Sequence, residues 1–134
     1  PDRLELELTE TVLLHDGDAV MATLRRLKAL GIKLSMDDFG TGYSSLAYLR
    51  HFKFDKIKID RSFVSDLIDD PDNAAIVRGI ISLAQSLGLS VLAEGVETEA
   101  IAQRLRHLQC TFAQGYLFDQ PLRPEVFRQR LGLA

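Results

Sequence analysis

The sequence predicts an α/β fold in which parallel strands alternate with helices and belong to a closed βα barrel. Five strand-like segments alternate with helical segments along the 134 residues, an order that is typical of parallel βα units. Each strand has one apolar face and one mixed face, whereas strands of an open doubly wound sheet are usually apolar on both faces. In a barrel, the mixed faces line the interior, and the carboxyl ends of the strands form the mouth that holds active sites.

The first half of the chain is predicted to contain three strands and two helices. A period of two between apolar and polar residues indicates strands at 4–9, 32–37 and 56–60. A helical period covers residues 17–30 and ends at Gly31, which can adopt the conformation that terminates a helix. A short second helix follows, with an apolar face formed by Leu46, Leu49 and Phe52.

The second half repeats the pattern. Residues 69–73, which include Pro71, are predicted to be a loop and capping region before a helix at 74–87. Thr98 is a candidate N-cap for the next helix, and Pro124 suits the first position of the last one. The remaining segments are strands at 89–93 and 112–118, and helices that end near residues 108 and 131.

Polar residues end the mixed face of every predicted strand: Glu7, Asp37, Lys58, Glu94 and Gln114. Asp38 follows Asp37 directly, and two neighbouring carboxylates at a strand end repel each other and lose hydration. A divalent cation offsets that cost, and carboxylate oxygens suit Mg²⁺ and Mn²⁺. A solvated turn rich in Asp and Gly is the ordinary alternative for the pair alone. The convergence of strand ends at one mouth favours a site.

Composition limits the classes of function. Hydrophobic residues make up 46% and charged residues 26%, which is typical of a globular domain. A net charge of −3 excludes a general basic surface for long nucleic acid. No apolar run approaches the roughly 18 residues of a membrane span, so we expect no membrane contact from this segment. The single cysteine, Cys110, favours a reducing, cytoplasmic compartment.

Five motifs carry a resemblance to a known family: ELTE at 7–10, DDFGTGYSSL at 37–46, DKIKID at 55–60, AEGVET at 93–98 and QGYLF at 114–118. In this order and spacing they resemble the EAL family of cyclic-di-GMP phosphodiesterases. The resemblance implies a (βα)₈ TIM-type barrel that hydrolyses cyclic-di-GMP to linear pGpG with Mg²⁺ or Mn²⁺ and is inhibited by Ca²⁺. The EAL tripeptide and an asparagine ligand of the family are absent from the sequence. Residues 1–134 therefore resemble the C-terminal part of one EAL domain, about five βα units cut from a longer chain.

The resemblance also implies roles for individual residues. Glu7 and Asp37 match ligands of a first metal, and Asp38 matches a ligand of a second. Lys58 matches the residue that holds the nucleophilic water and offsets developing negative charge. A structural partnership of Lys58 with Asp37 or Asp38 is the alternative. Glu94 matches the general base, or a group that orders a metal-bound water.

Other matched positions surround the metal site. Glu10 resembles the anchor of the 37–45 loop, although it could simply cap the next segment. Gln114 resembles a supporting residue. Glu97 is interpreted as a first-turn helix acid favoured by the helix dipole. Substrate contacts are expected, with packing as an equal alternative for the tyrosines, at Gly40, Gly42, Tyr43 and Tyr116.

Two other functional classes compete with the enzyme. A degenerate EAL domain would bind cyclic-di-GMP as a sensor without cutting it, but the matched acids and Lys58 are intact. A phosphoacceptor receiver domain would need its lysine on the last strand, whereas Lys58 ends the strand directly after Asp37. The expected partners are cyclic-di-GMP, a second copy in a homodimer or larger assembly, and sensor, receiver or GGDEF-type domains elsewhere in the chain.

Overall fold

The computed structural model describes residues 1–9, 11–12, 17–41 and 45–133. Its centre is a five-stranded parallel sheet whose strands are neighbours in the order in which they occur along the chain. The strands are β1 (Glu5–Thr9), β2 (Lys33–Phe39), β3 (Lys56–Ile59), β4 (Ser90–Ala93) and β5 (Phe112–Ala113). A strand order without a reversal has no switch point of the doubly wound type, so it agrees with the predicted βα barrel.

Helices occupy most of the connections between strands. Within the described residues they are α1 (Gly17–Ala29), α2 (Ser45–His51), α3 (Arg61–Val64), α4 (Pro71–Ser86), α5 (Glu99–His107) and α6 (Pro124–Arg130). The predicted caps are confirmed at two of them, because Thr98 accepts a hydrogen bond from the backbone N–H of Ile101 and Pro124 occupies the first turn of α6. No helix in the described part of the chain is long and apolar enough to cross a membrane.

The core lies between the outer face of the sheet and the helices. Leu34, Met36, Ile57 and Ile59 are completely buried, and they alternate with polar residues on the inner face. Helix α4 covers this layer with a stripe of buried residues: Val77, Ile80, Ile81 and Ala84. The alternation therefore places the apolar side chains under the helices and the polar side chains inside the barrel.

The start of α4 and the presence of α3 differ from the predictions. Asp70, within the predicted 69–73 loop, is the N-cap of α4, and Pro71 is already helical because the first turn needs no proline N–H. The short helix α3 was not predicted, since its four residues give too little periodicity to detect. Asp60 begins α3 by accepting a hydrogen bond from the backbone N–H of Ser62.

Strand β5 is also shorter than the predicted strand at 112–118. It ends at Ala113, and the chain then turns against the segment after β4. The backbone N–H of Val96 donates to Gln114, and that of Leu117 donates to Val96. A β-carbon at Gly115 would overlap the backbone of Val96, so glycine is required for this close approach.

Candidate functional site

The carboxyl ends of four neighbouring strands bring the predicted site residues together. Glu7 lies in β1, Asp37 in β2 and Lys58 in β3, and Glu94 directly follows β4. Because these strands are parallel and paired in sequence order, their ends open at the same side of the sheet. The structure therefore confirms that these four side chains share one mouth, as the strand pattern predicted.

A local irregularity in β2 directs two consecutive acids to this mouth. The register between β2 and β3 shifts between Met36 and Phe39. Asp38 has a φ of 54°, in the left-handed region that aspartate tolerates better than most residues. Its backbone N–H donates to the carboxylate of Asp37 at 2.9 Å. In a regular strand the two side chains would point to opposite faces, so this bulge is what allows both acids to serve one site.

Lys58 is the central cation of the site. Its Nζ is 2.7 Å from Glu7 Oε2, 2.8 Å from Glu94 Oε1 and 3.3 Å from Asp37 Oδ1. Only 5% of the residue is exposed. Burial lowers the pKa of its ammonium, but hydrogen bonds to Glu7 and Glu94 more than reverse this, so the pKa lies above its ordinary value. Lys58 therefore carries a full positive charge at neutral pH.

Three carboxylates form a compact group beside Lys58. One oxygen from each of Asp37, Asp38 and Glu94 lies within 4.8 Å of the other two. All three side chains are half-buried, so their charges are less screened than on an open surface. Oxygen donors from three carboxylates suit a hard divalent cation such as Mg²⁺ or Mn²⁺. Glu7 is joined to this group through Lys58.

The environment of Asp38 opposes its ionisation. Burial raises the pKa of the Asp38 carboxyl, and the neighbouring charges of Asp37 and Asp60 raise it further. The pKa of Asp60 is lowered, chiefly because Ser62 donates to it from its hydroxyl and its backbone N–H. A bound cation would favour the ionised form of Asp38.

A cavity of about 260 Å³ lies at the rim of the site. Glu94 contributes to its wall, and so do Gln114 and Tyr116, which are both exposed. Arg61 and Glu97 lie on the same wall and form an ion pair with 2.7 Å between Nη2 and Oε1. The interpretation of Glu97 as a first-turn helix acid is wrong, because it precedes the N-cap Thr98, and the first-turn acid of α5 is Glu99.

The remaining predicted residues are less central. Gly40 has a φ of +96°, a conformation that glycine adopts without steric cost. Glu10, Gly42 and Tyr43 lie outside the described residues. Cys110 is half-buried, and burial raises the pKa of its thiol, as expected of a small packed residue rather than a nucleophile.

Sequence reasoning missed two residues that contact the site. Asp60 continues the alternation of Lys56 and Lys58 along β3, so its face could have been inferred, but the bulge that brings Asp38 to it could not. Arg61 gave no sequence signal beyond its charge. Its pairing with Glu97 depends on the approach of two strand ends that are more than thirty residues apart in the chain.

Comparisons with known proteins agree with the geometry. Residues 1–121 match the sequence profile of the EAL domain. The chain is 46% identical to the bifunctional diguanylate cyclase/cyclic di-GMP phosphodiesterase MucR of Pseudomonas aeruginosa, over 93% of this chain and 18% of MucR. It is 50% identical to the cyclic di-GMP phosphodiesterase NbdA of the same organism, over 89% of this chain and 15% of NbdA. The chain thus spans less than a fifth of the length of these curated relatives.

Solved structures show the same architecture. The MucR phosphodiesterase in complex with c-di-GMP has a TM-score of 0.89 and 46% identity, over 95% of this chain and 51% of that chain. A manganese and c-di-GMP complex of Klebsiella pneumoniae BlrP1 has a TM-score of 0.84 and 39% identity, over 90% of this chain and 31% of that chain. The predicted fold class, part of a (βα)₈ barrel, is confirmed.

Proposed function

This chain belongs to the EAL domain family, and on that premise we propose that the protein containing it hydrolyses cyclic-di-GMP to linear pGpG with the help of a divalent cation. The observation that carries the proposal is the group around Lys58, where one buried ammonium faces three carboxylates and Asp38 stands beside them. We assign residues 1–134 to the C-terminal part of the EAL domain.

Glu7 and Asp37 would hold a first divalent cation and Asp38 a second, with the carboxylate of Glu94 close to both aspartates. A divalent cation supplies Lewis-acid stabilisation to a phosphodiester and its attacking and leaving oxygens. We propose that Mg²⁺ and Mn²⁺ support turnover and that Ca²⁺ binds with little turnover. A manganese complex and a calcium complex of BlrP1 with cyclic-di-GMP support divalent binding at this kind of site.

Glu94 and Lys58 have separate roles in the reaction. One water adds across one phosphodiester bond, giving a phosphate monoester at one end and a hydroxyl at the other. Glu94 accepts the proton of that water, and its orientation is fixed by the hydrogen bond from Lys58. The ammonium of Lys58, held at the mouth by its carboxylate partners, offsets the negative charge that develops on the phosphoryl oxygens.

We propose that the rim cavity, which lies beside Glu94, receives part of the nucleotide. Gln114 and Tyr116 line it beside Glu94, and Tyr116 has an exposed ring that could stack on guanine. We propose supporting roles for Gln114 and for Glu10, and substrate contacts for Gly40, Gly42, Tyr43 and Tyr116. We further propose that the protein works in the cytoplasm and carries signalling domains besides this one, as the name of MucR indicates for that relative.

Replacing single acids by their amides in the full protein tests the proposal. We expect D37N and E94Q each to lower the rate of pGpG formation by about 100-fold or more, because charge is lost while shape is kept. The matched controls are D66N and E99Q, which change exposed acids outside the site. Rates would be measured by chromatography of the products with Mn²⁺.

Near-wild-type turnover in D37N or E94Q would remove that residue from the site. Calorimetric binding of cyclic-di-GMP separates the two functional classes. Tight binding with no hydrolysis by the unmodified protein would favour the sensor over the enzyme. If the unmodified protein neither binds nor hydrolyses cyclic-di-GMP, the proposal is overturned.

A further inference from the structure

A second ion pair lies inside the barrel, below the site. Lys56 is two residues before Lys58 on β3, and Glu5 is two residues before Glu7 on β1. The Nζ of Lys56 is 2.8 Å from both carboxylate oxygens of Glu5. The two side chains expose only 19% and 28% of their surface, so this pair is shielded rather than superficial. We call Glu5–Lys56 the lower pair and Glu7–Lys58 the upper pair.

Both pairs cross the same strand. In the described sheet β1 and β3 each pair with β2 and not with each other, so each glutamate reaches over β2 to its lysine. Side chains on one face of a strand recur every two residues, about 6.6 Å apart. In βα barrels the interior side chains of alternate strands form stacked layers. The lower pair therefore forms a layer directly beneath the upper pair.

Lys56 also contacts β5, the third odd-numbered strand. Its Nζ lies 5.2 Å from the centre of the Phe112 ring in β5, within the range of a cation–π contact. Ser35, on β2 between the two pairs, is completely buried, and its Oγ has no hydrogen-bond partner among the described residues. Glu5 is thus the acid that holds Lys56 in this layer.

The spacing of the charges makes a wrong pairing possible. If Glu5 lost its charge, the next acid on the same face of β1 would be Glu7, and Lys56 would compete with Lys58 for it. If Lys56 lost its charge, Glu5 would compete for Lys58 in the same way. A buried charge without its partner is costly, so such an exchange would be favoured.

We propose that Glu5 and Lys56 are positioning residues, which keep Glu7 and Lys58 paired with each other at the mouth of the barrel. Because Glu5 and Lys56 neutralise each other, neither of them pulls Glu7 or Lys58 away from the mouth of the barrel. This inference rests on the proposed function, because its consequence is the geometry of the carboxylates and ammonium at the mouth. It predicts that removing one charge of the lower pair lowers kcat and Mn²⁺ affinity more than removing both charges.

The test is a double-mutant cycle in the full protein with E5Q, K56M and E5Q/K56M, all close to the native side-chain volumes. We expect each single variant to lower kcat and to weaken Mn²⁺ binding by about 10-fold, the lower end of the range for groups that orient metal ligands. KM should stay within about twofold of wild type. The double variant should recover most of both losses, because it contains no unbalanced charge.

The control is K28M, which removes a lysine whose Nζ is 2.7 Å from both oxygens of Asp55, outside the barrel interior. It should affect stability but not kcat. Single variants equal to wild type, or losses that add in the double variant, would overturn the inference. Should K56M not fold, K56Q completes the same cycle. If the unmodified protein shows no turnover, the proposed function fails, but calorimetric Mn²⁺ affinities of the same variants still decide the positioning role.

Discussion

At the mouth of the barrel one ammonium group faces three carboxylates, so the close approach of these acids depends on that single positive charge. Lys58 supplies the positive charge that holds Glu7, Asp37 and Glu94 close together. Its pKa is raised above the unfolded value of about 10.4. The stability it contributes is therefore fully present at neutral pH, and it is lost only as the pH rises through the folded pKa in strongly alkaline solution.

Replacing Lys58 by methionine keeps the aliphatic stem and removes the charge. We expect K58M to lower the free energy of unfolding by about 3 kcal/mol without metal, because three carboxylates that lie close together, two of them half-buried, lose their positive partner. Mn²⁺ should then stabilise K58M more than wild type, since a cation offsets the same repulsion. Denaturant unfolding in EDTA and in MnCl₂ measures both effects, with K53M, at an exposed lysine, as the control. Equal stability of K58M and wild type in EDTA would contradict this account.

At the scale of single elements, one charged contact joins a helix to the bottom of the sheet. Lys28, near the end of α1, donates to both carboxylate oxygens of Asp55 at 2.7 Å. Asp55 also accepts from the backbone N–H of Leu34 at 2.8 Å, where β2 begins. One carboxylate thus fixes the helix and the entrance of two strands.

This contact predicts a stability that depends on pH. Burial raises the pKa of Asp55, but the hydrogen bonds from Lys28 and Leu34 outweigh it, so the pKa lies below its ordinary value. The stabilisation is present above the unfolded pKa of about 3.9 and is lost as the pH falls through the folded pKa. We expect D55N to cost about 2 kcal/mol at pH 7 and progressively less in acid below about pH 4. Thermal unfolding across this range checks it, and a constant cost at all pH values would contradict it.

The elements also show what the sequence could predict. Strand alternation, the caps at Thr98 and Pro124, and the gathering of Glu7, Asp37, Lys58 and Glu94 are local patterns repeated along the chain. The bulge at Asp38 and the early end of β5 depend on contacts between distant segments, such as the approach of Gly115 to Val96. Because the local periodicity of a sequence carries no information about contacts between distant segments, these features could not be predicted.

At the scale of the whole molecule, the described chain leaves part of its apolar surface uncovered. The outer strands β1 and β5 each pair on one side only within the described sheet, so each has an edge with free backbone donors and acceptors. Helix α6 has no buried residue, and large apolar side chains near it are about half exposed: Tyr116, Phe118, Phe127 and Leu131. Large apolar side chains that stay exposed in this number along one stretch of chain are candidates for burial against another chain.

We therefore expect residues 1–134, produced alone, to self-associate into a dimer or larger assembly and not to hydrolyse cyclic-di-GMP. Pairing of copies would cover the strand edges and these apolar side chains, whereas five strands cannot close a ring built for eight. Light scattering gives the mass, and a Mn²⁺ assay gives the activity. F127S should lower the mass at a given concentration, while I68S, which changes an exposed apolar residue on the segment after α3, should not. A stable monomer that turns over cyclic-di-GMP at the rate of a complete EAL domain would show that the described strands and carboxylates suffice by themselves.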